Sequence, residues 1–409
     1  EFPNIVGSFG HAAADGVLCE IARRLAFGDE MQDRVARIGT DQFLVILEEV
    51  DGLAALAAAD LMAGKLRAPF DHAGVSLQLE TRIGVSVFPT HGEQAADLLQ
   101  RADLALRRAS ESGVSVSMFV PGDDQVHRHR LAILGDLRRA IAANELELHY
   151  QPKVSLRTGE VVGCEALVRW RHPQRGMIPP GDFIPHAERA GLIRVLTAWV
   201  LEAAFSQLHR WEAAGLQLDV SINVSPVDLA AADFADSVIT LLTQTGVDAS
   251  RVVLEITESG AMKDLANTLR IMEELRILGV RFSIDDFGTG YSSLAHLRRL
   301  PVDEIKIDRS FIQELERQAS DDVIVRSTIN LGHDLNLKVV AEGVEIAAGW
   351  DRLRRLDCDS VQGYFVSKPL PAADFVAWID QRGADTLRSG AAHVPEVPAI
   401  ARRPVDVGT

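Results

Sequence analysis

Long apolar runs are missing from this 409-residue chain. No uninterrupted hydrophobic stretch approaches the roughly 18 residues that a membrane span needs, so no membrane segment is expected within it. Cysteine is scarce: Cys19, Cys164 and Cys358 are odd in number, widely spaced and without any C-x-x-C pairing. They read as free thiols in a reducing, cytoplasmic compartment rather than as a disulfide framework. Basic residues are outnumbered, 42 Lys and Arg against 58 Asp and Glu, for a formal charge of -16. That balance argues against a general nucleic-acid or anionic-membrane surface, so DNA is not an expected partner. A phosphate-bearing substrate would need a local cation. The first residue is Glu1 rather than Met and no signal-peptide pattern follows, so the sequence reads as a fragment, with any upstream sensor or membrane anchor lying outside it.

What is present is apolar material, 47% of residues, enough for sizeable cores in two or three domains. Residues 1 to 120 alternate helical stretches such as "AADLLQRADLALRRASESG" with short apolar strands such as "DQFLVILE" and "ETRIGVSVFP". Residues 121 to 145 read as a mostly polar helix with an apolar stripe, suited to joining two domains. From 146 to 382 there are eight strand-like runs: "LELHYQP", "VVGCEALVRW", "LDVSINVS", "RVVLEITES", "VRFSIDDF", "EIKIDRSF", "KVVAEGVE" and "SVQGYF". Most are separated by helix-period stretches, which predicts a (β/α)₈ barrel. Between the first two lies only "KVSLRTGE", too short for a crossover helix, so those two strands are expected antiparallel and the barrel modified. The tail, 383 to 409, is rich in Pro, Ala and Arg, has no period, and is expected to be disordered.

Strand phase then picks out polar side chains. Val280, Phe282 and Ile284 share one face, so Asp285 points to the other and Asp286 falls at the strand's exit. Taken alone, such a pair is equally compatible with a turn. Asn223, Glu255 and Lys306 sit between apolar neighbours in the same way, and Glu165, Glu342 and Gln362 hold similar late positions. Greasy sides turned to the helices would leave this set converging on the C-terminal mouth, where barrel enzymes build their sites. Five carboxylates gathered in a partly buried mouth need a counter-charge. Oxygen donors without His or Cys favour Mg²⁺ or Mn²⁺ over Zn²⁺, and adjacent Asp285 and Asp286 suit a bridge between two ions, the arrangement used for phosphoester hydrolysis. Lys306 also has a plainer alternative, a salt bridge to Asp308 or a neighbouring acid.

"EALVRW", "NVS", "EITES", "DDFGTGYSS", "KIDRSF", "AEGVE" and "QGY", in that order, make residues 130 to 380 resemble the EAL phosphodiesterases, which hydrolyse the bacterial second messenger cyclic di-GMP. The resemblance implies hydrolysis to linear pGpG by water activated between two ions. It implies Glu165, Asn223, Glu255 and Asp285 as ligands of one metal, and Asp285, Asp286 and Glu342 as ligands of the other. Lys306 resembles the residue that orients and helps deprotonate the attacking water, and Gln362 the amide supporting that network. Gln151, Leu167 and Arg169 resemble substrate contacts, and Glu258 an anchor for the "DFGTGYSS" loop. A homodimer through the barrel's face near that loop is a further expectation. Some members bind the dinucleotide without cutting it, so a non-catalytic receptor, or a signalling scaffold, is the alternative. Ile346 stands where a Thr is usual, Gly349 where a Gln is frequent, and "LDCD" where "LGCD" is frequent.

The first 120 residues resemble the GGDEF diguanylate cyclases through "FGH", "VARIG" and "IGVSVFP", but the signature reads "GTDQF", with Thr40 in place of a Gly and Gln42 in place of an acid. Val6 and Gly7 stand where the family usually has an Asn-Asp pair, the acidic first strand is missing, and Glu30 replaces the Arg of the inhibitory R-x-x-D site although Asp33 remains. The resemblance therefore implies a regulatory or structural domain without cyclase activity, and weak or absent product binding.

Overall fold

The computed structural model describes residues 2–26, 34–72, 75–77, 79–122, 133, 135–288, 297–313, 315 and 319–389. The chain divides into two compact units, Glu1–Ala132 and Ile133–Thr409.

The first unit opens on the helix Phe2–Leu25, followed by strands β1 (Val35–Arg37) and β2 (Phe43–Val45), the helix Gly52–Arg67, strands β3 (Phe70–His72), β4 (Val75–Leu77) and β5 (Ile83–Val85), the helix Ala95–Glu111 and strand β6 (Val116–Met118). Its strands pair two by two: β1 with β2 and β3 with β4 antiparallel, β5 with β6 parallel. Asp51 caps the second helix by accepting from the Ala54 amide at 2.8 Å, and Ala55, Ala59, Ala63 and Leu66 form its buried stripe. Gly84 lets the helix Ala95–Glu111 lie directly on β5, since a Cβ there would stand 2.1 Å from the Ala102 carbonyl oxygen. Glu30 and Asp33 lie outside the described residues.

The second unit is the modified barrel. Its strands are β7 (Leu146–Ser155), β8 (Val161–His172), the short β9 (Gly176–Ile178), β10 (Asp219–Val224), β11 (Val252–Thr257), β12 (Arg281–Phe287), β13 (Glu304–Ile307), β14 (Lys338–Ala341), β15 (Ser360–Val361) and a short β16 (Leu370–Pro371). From β8 through β10 to β15 the pairing is parallel, and β7 closes the ring antiparallel to both β8 and β15. All eight expected strands are present, the first inverted as the short "KVSLRTGE" connection requires; β9 and β16 are additions. Alternation is strict where it matters. Val220, Ile222, Leu254, Ile256, Phe282, Ile284, Ile305 and Ile307 are buried in the outer core beneath the helices.

Two boundaries differ from the sequence reading. Of the expected linker helix, residues 135–142 are helical, and Ile133, Leu137 and Ala140 are buried in the barrel's own core, so this part belongs to the second unit. Its anchoring is polar as well: Asp136 lies 3.2 Å from His172 Nε2, and Trp170 donates its indole N–H to Glu145 at 3.1 Å. The last helix runs Ala372–Ser389, so the first residues of the supposedly disordered tail are helical, continuing a helix whose Phe375 is fully buried. Residues 390–409 lie outside those described. No described helix is long and apolar enough to cross a membrane.

Candidate active site

Each polar side chain of the inward phase is delivered by its strand. Ladder register places Gln151 opposite Glu165 and Asn223 opposite Glu255. Glu342 and Gln362 follow their strands by one residue and are pinned there by backbone bonds, the Glu342 amide to the Ile307 carbonyl at 3.1 Å and the Gln362 amide to the Ala341 carbonyl at 2.9 Å. Gly363, next in the chain, permits this closeness: a Cβ there would meet the Val344 backbone at 2.2 Å.

The two adjacent acids reach the same mouth by a device that alternation does not foresee. Pairing of β12 with β13 shifts between Ile284 and Phe287, and Asp286 takes the left-handed conformation with φ 55°. This bulge turns Asp286 back beside Asp285, whose Oδ1 accepts the Asp286 amide at 2.9 Å, and returns Phe287 to the core. Gly288 then donates its amide to Glu258 Oε2 at 3.1 Å, so Glu258 fixes the start of the loop. The rest of that loop, 289–296, lies outside the described residues.

Lys306 is the hub. Only 1% exposed, its ammonium lies 2.6 Å from Glu255, 2.5 Å from Glu342, 3.2 Å from Asp285 and 3.5 Å from Glu165. The plainer expectation of a bond to a neighbouring acid is thus met several times over, while Asp308 bonds instead to Ser310. Glu165 accepts from Asn223 Nδ2 at 2.6 Å and from Gln362 Nε2 at 2.6 Å; Gln362 also donates to Gln151 Oε1 at 3.0 Å. Gln151 is held in turn by its bond to the Ser367 carbonyl at 3.1 Å. Leu167 and Arg169 follow Glu165 on the same half-buried face of β8, and Arg169 donates to the Val168 carbonyl at 2.9 Å.

One residue at the centre was not singled out from the sequence. Lys153, 4% exposed, donates to Ser221 Oγ at 2.7 Å, to Glu255 Oε1 at 2.9 Å and to Glu304 Oε1 at 3.0 Å. The signal was available in phase, because Lys153 follows Gln151 by two on β7, but a Lys after "QP" at a strand's end reads as a solvated terminus.

Electrostatics follow from this crowding. Burial would raise the Glu255 carboxyl, yet Lys153 and Lys306 on its two oxygens hold it down at about 2. Burial pushes Glu342 up to about 8, with Lys306 opposing and Asp285, Glu165 and Glu255 adding to the rise. Glu165 is raised by burial and by Glu255, and Asp286 by burial and by Asp285. Two ammoniums, Lys153 and Lys306, among Glu165, Glu255, Asp285, Asp286, Glu304 and Glu342 therefore leave the acids short of positive charge. Among the described residues no three His, Cys, Asp or Glu side chains are already arranged as a metal-binding group; Lys306 stands among four of the carboxylates. The donor set nevertheless fits hard divalent cations: carboxylates and amide oxygens only, raised carboxyls awaiting a counter-charge, and a buried Gln362 Oε1 without a partner.

Comparison with known proteins identifies both domains by family. The family model "EAL domain" matches residues 134–369, and "Diguanylate cyclase, GGDEF domain" matches residues 1–115. The bifunctional diguanylate cyclase/cyclic di-GMP phosphodiesterase MucR of Pseudomonas aeruginosa is 39% identical over 378 residues, 92% of this chain and 55% of that protein. The cyclic di-GMP phosphodiesterase PdeR of Escherichia coli is 34% identical over 378 residues, 92% of this chain and 57% of that protein. The solved structure of the PaMucR phosphodiesterase in its c-di-GMP complex shares 47% identity with a TM-score of 0.58, covering 60% of this chain and 99% of that one. The chain spans about half the length of the curated relatives it matches. It belongs to the EAL domain family, with a GGDEF domain ahead of the barrel.

Proposed function

We propose that this EAL-family chain is a phosphodiesterase that hydrolyses cyclic di-GMP to linear pGpG at the C-terminal mouth of its barrel, with two Mg²⁺ or Mn²⁺ ions. The observation that carries the reading is the buried cluster in which Glu165, Glu255, Asp285 and Glu342 surround Lys306. Buried charges in this number are costly to a fold even when paired, and a site for cations and a phosphodiester gives them a use.

Glu165, Asn223, Glu255 and Asp285 would hold one ion, and Asp285, Asp286 and Glu342 the other. The ions, when bound, supply a hydroxide at neutral pH and stabilise charge on the attacking and leaving oxygens. The remaining work falls to the chain. Lys306, an ammonium among the carboxylates that would hold the ions, orients the attacking water and helps its deprotonation by stabilising the negative charge left on its oxygen. Gln362 holds Glu165 in place through its amide. Arg169 and Leu167, further along β8 at the rim, and Gln151, opposite Glu165 on β7, meet the substrate's phosphate and nucleotide portions. The -16 charge of the chain makes that local cation necessary for a polyanionic substrate.

The first unit, in the same reading, makes no cyclic di-GMP and serves a regulatory or structural role. Its "GTDQF" hairpin supports this: Thr40, Asp41 and Gln42 are exposed at the tip, and Gln42 offers an amide where metal-assisted chemistry needs an acid.

The test is chromatographic. The purified chain is mixed with cyclic di-GMP and Mg²⁺ or Mn²⁺, alongside an EDTA control and Lys306→Ala, and products are followed over time. Metal-dependent pGpG, lost in both controls, is the expected result. Intact substrate in every sample would end the reading, and a tightly bound but uncut dinucleotide would make the protein a receptor.

A further inference from the structure

Glu255 carries a lysine on each of its carboxylate oxygens. Its Oε2 accepts from Lys306 at 2.6 Å and its Oε1 from Lys153 at 2.9 Å. Lys153 comes from below, on the inverted strand β7. It stands in a layer made by Ser221, Ser283 and Glu304, where Ser283 donates to the same Glu304 oxygen at 3.1 Å. The axis of the barrel thus carries an unbroken column, Glu304 to Lys153 to Glu255 to Lys306, whose two lysines and whose Glu255 are each 4% exposed or less. At its lower end the column meets a cavity of about 540 Å³ at the N-terminal mouth, lined in part by Lys153, Ser221 and Glu304.

This arrangement bears on what happens when cations arrive. Lys306 must share or release Glu255 Oε2, and a carboxylate with one free oxygen would then swing about its terminal torsion, which is broad and soft. The bond from Lys153 to Oε1 removes that freedom from a direction no ion competes for. We propose that Lys153 is a positioning residue: it locks Glu255 so that Oε2 faces the metal site. This inference rests on the metal-dependent reading above and assigns a role that the motifs do not reach. A partner that orients a ligating carboxylate is worth about 10- to 100-fold in metal affinity.

Mn²⁺ binding to the whole chain, without substrate, reads this directly through the electron paramagnetic resonance of the free ion. Lys153→Met removes the donor while keeping the side chain's length, and is expected to weaken Mn²⁺ binding about 10- to 100-fold. Lys153→Gln can still donate an amide N–H to Oε1 and is expected between wild type and Lys153→Met. Glu304→Gln leaves the Lys153 to Glu255 bond in place and is expected within about threefold of wild type. Thermal melts of each variant separate folding from binding. If Lys153→Met melts cooperatively and binds Mn²⁺ within about threefold of wild type, the inference is overturned. It is equally overturned if Glu304→Gln loses as much affinity as Lys153→Met, since the effect would then belong to the column as a whole. Should Lys153→Met not fold, Lys153→Gln decides, affinity equal to wild type overturning the inference. A wild type that binds no Mn²⁺ and cuts no substrate defeats the parent reading itself, a result distinct from any of these.

Discussion

The two units put the same kinds of residue to opposite use. Among the described residues of the first, His91 is the one buried polar or charged side chain, whereas the barrel buries Lys153, Lys306, Glu165, Glu255, Glu258, Gln151 and Gln362 around its axis. The first unit's signature hairpin keeps its polar residues outside, its turn closed by backbone and by Arg37, which donates to the Gly39 and Thr40 carbonyls at 2.9 and 2.7 Å. Such a hairpin has no buried charge to compensate. The barrel's column costs several kcal/mol per ion to desolvate, so it persists only with near-complete pairing. Buried, paired charge is what sets the barrel's axis apart from the first unit's hairpin.

The sharpest way to break this comparison is to make a matched change in each unit. Asp285→Asn, nearly isosteric but without the charge, is expected to lower cyclic di-GMP hydrolysis by about 10²- to 10³-fold. Gln42→Ala in the first unit's hairpin is expected to leave it within about twofold, well inside what one group of the site is worth. Pass both variants through the chromatographic assay; a Gln42→Ala loss near that of Asp285→Asn would mean the hairpin acts on the chemistry. Packing offers a second contrast. Phe282 is fully buried in the barrel's extensive core, and Phe282→Ala should cost about 3–5 kcal/mol in urea unfolding. Phe119 belongs to a small cluster with Leu104 and Ala105, edged by His91 and Arg101, and Phe119→Ala should cost less, below about 3 kcal/mol. Equal costs would show the first unit to be as tightly built as the second.

Much of the barrel was legible because two periodicities coincide in it. Apolar alternation named the outward face, and the polar remainder, Glu165, Asn223, Glu255, Asp285 and Lys306, then had to face the axis. Three things were not legible, each for a physical reason. The bulge at Asp286 leaves no sequence mark beyond a strand that ends in two acids. Lys153 was passed over because a lysine is almost always solvated, and only the closed ring brings Ser221, Glu255 and Glu304 within its reach. The linker's apolar stripe was visible, but whether it meets a partner domain or its own barrel depends on where the chain turns at Glu145.

The departures after β14 supply the smaller tests, and they ask whether the barrel's rim is optimised as its axis is. Ile346 is the N-cap of the helix Ala347–Arg355, with φ −134° and ψ 154° already suited to capping, yet it has no side-chain hydrogen bond to offer. It is 54% exposed, so little packing is lost on replacement. Ile346→Thr places a hydroxyl where it can accept from the second or third helical amide, and should raise barrel stability by about 1 kcal/mol in urea unfolding, with hydrolysis unchanged.

At the other end of that helix the effect is smaller still. The Cys358 amide donates to the Leu353 carbonyl at 3.1 Å and the Asp357 amide to the Arg354 carbonyl at 3.2 Å, the paired bonds of a Schellman terminus. That motif puts Asp357 in the left-handed region, φ 58°, where glycine carries no Cβ penalty. An aspartate there also sets a negative charge beside the negative end of the helix dipole, although Arg352, Arg354 and Arg355 in the last turn soften it. Asp357→Gly relieves both terms but loosens the unfolded chain, which returns part of the gain. The net expectation is about half a kcal/mol of added stability, read as a higher urea midpoint at constant slope. A lower midpoint would mean that Asp357 earns its place at the N-terminal mouth of the barrel, where it lines the cavity beneath Lys153, and the rim would then share the axis's dependence on placed charge.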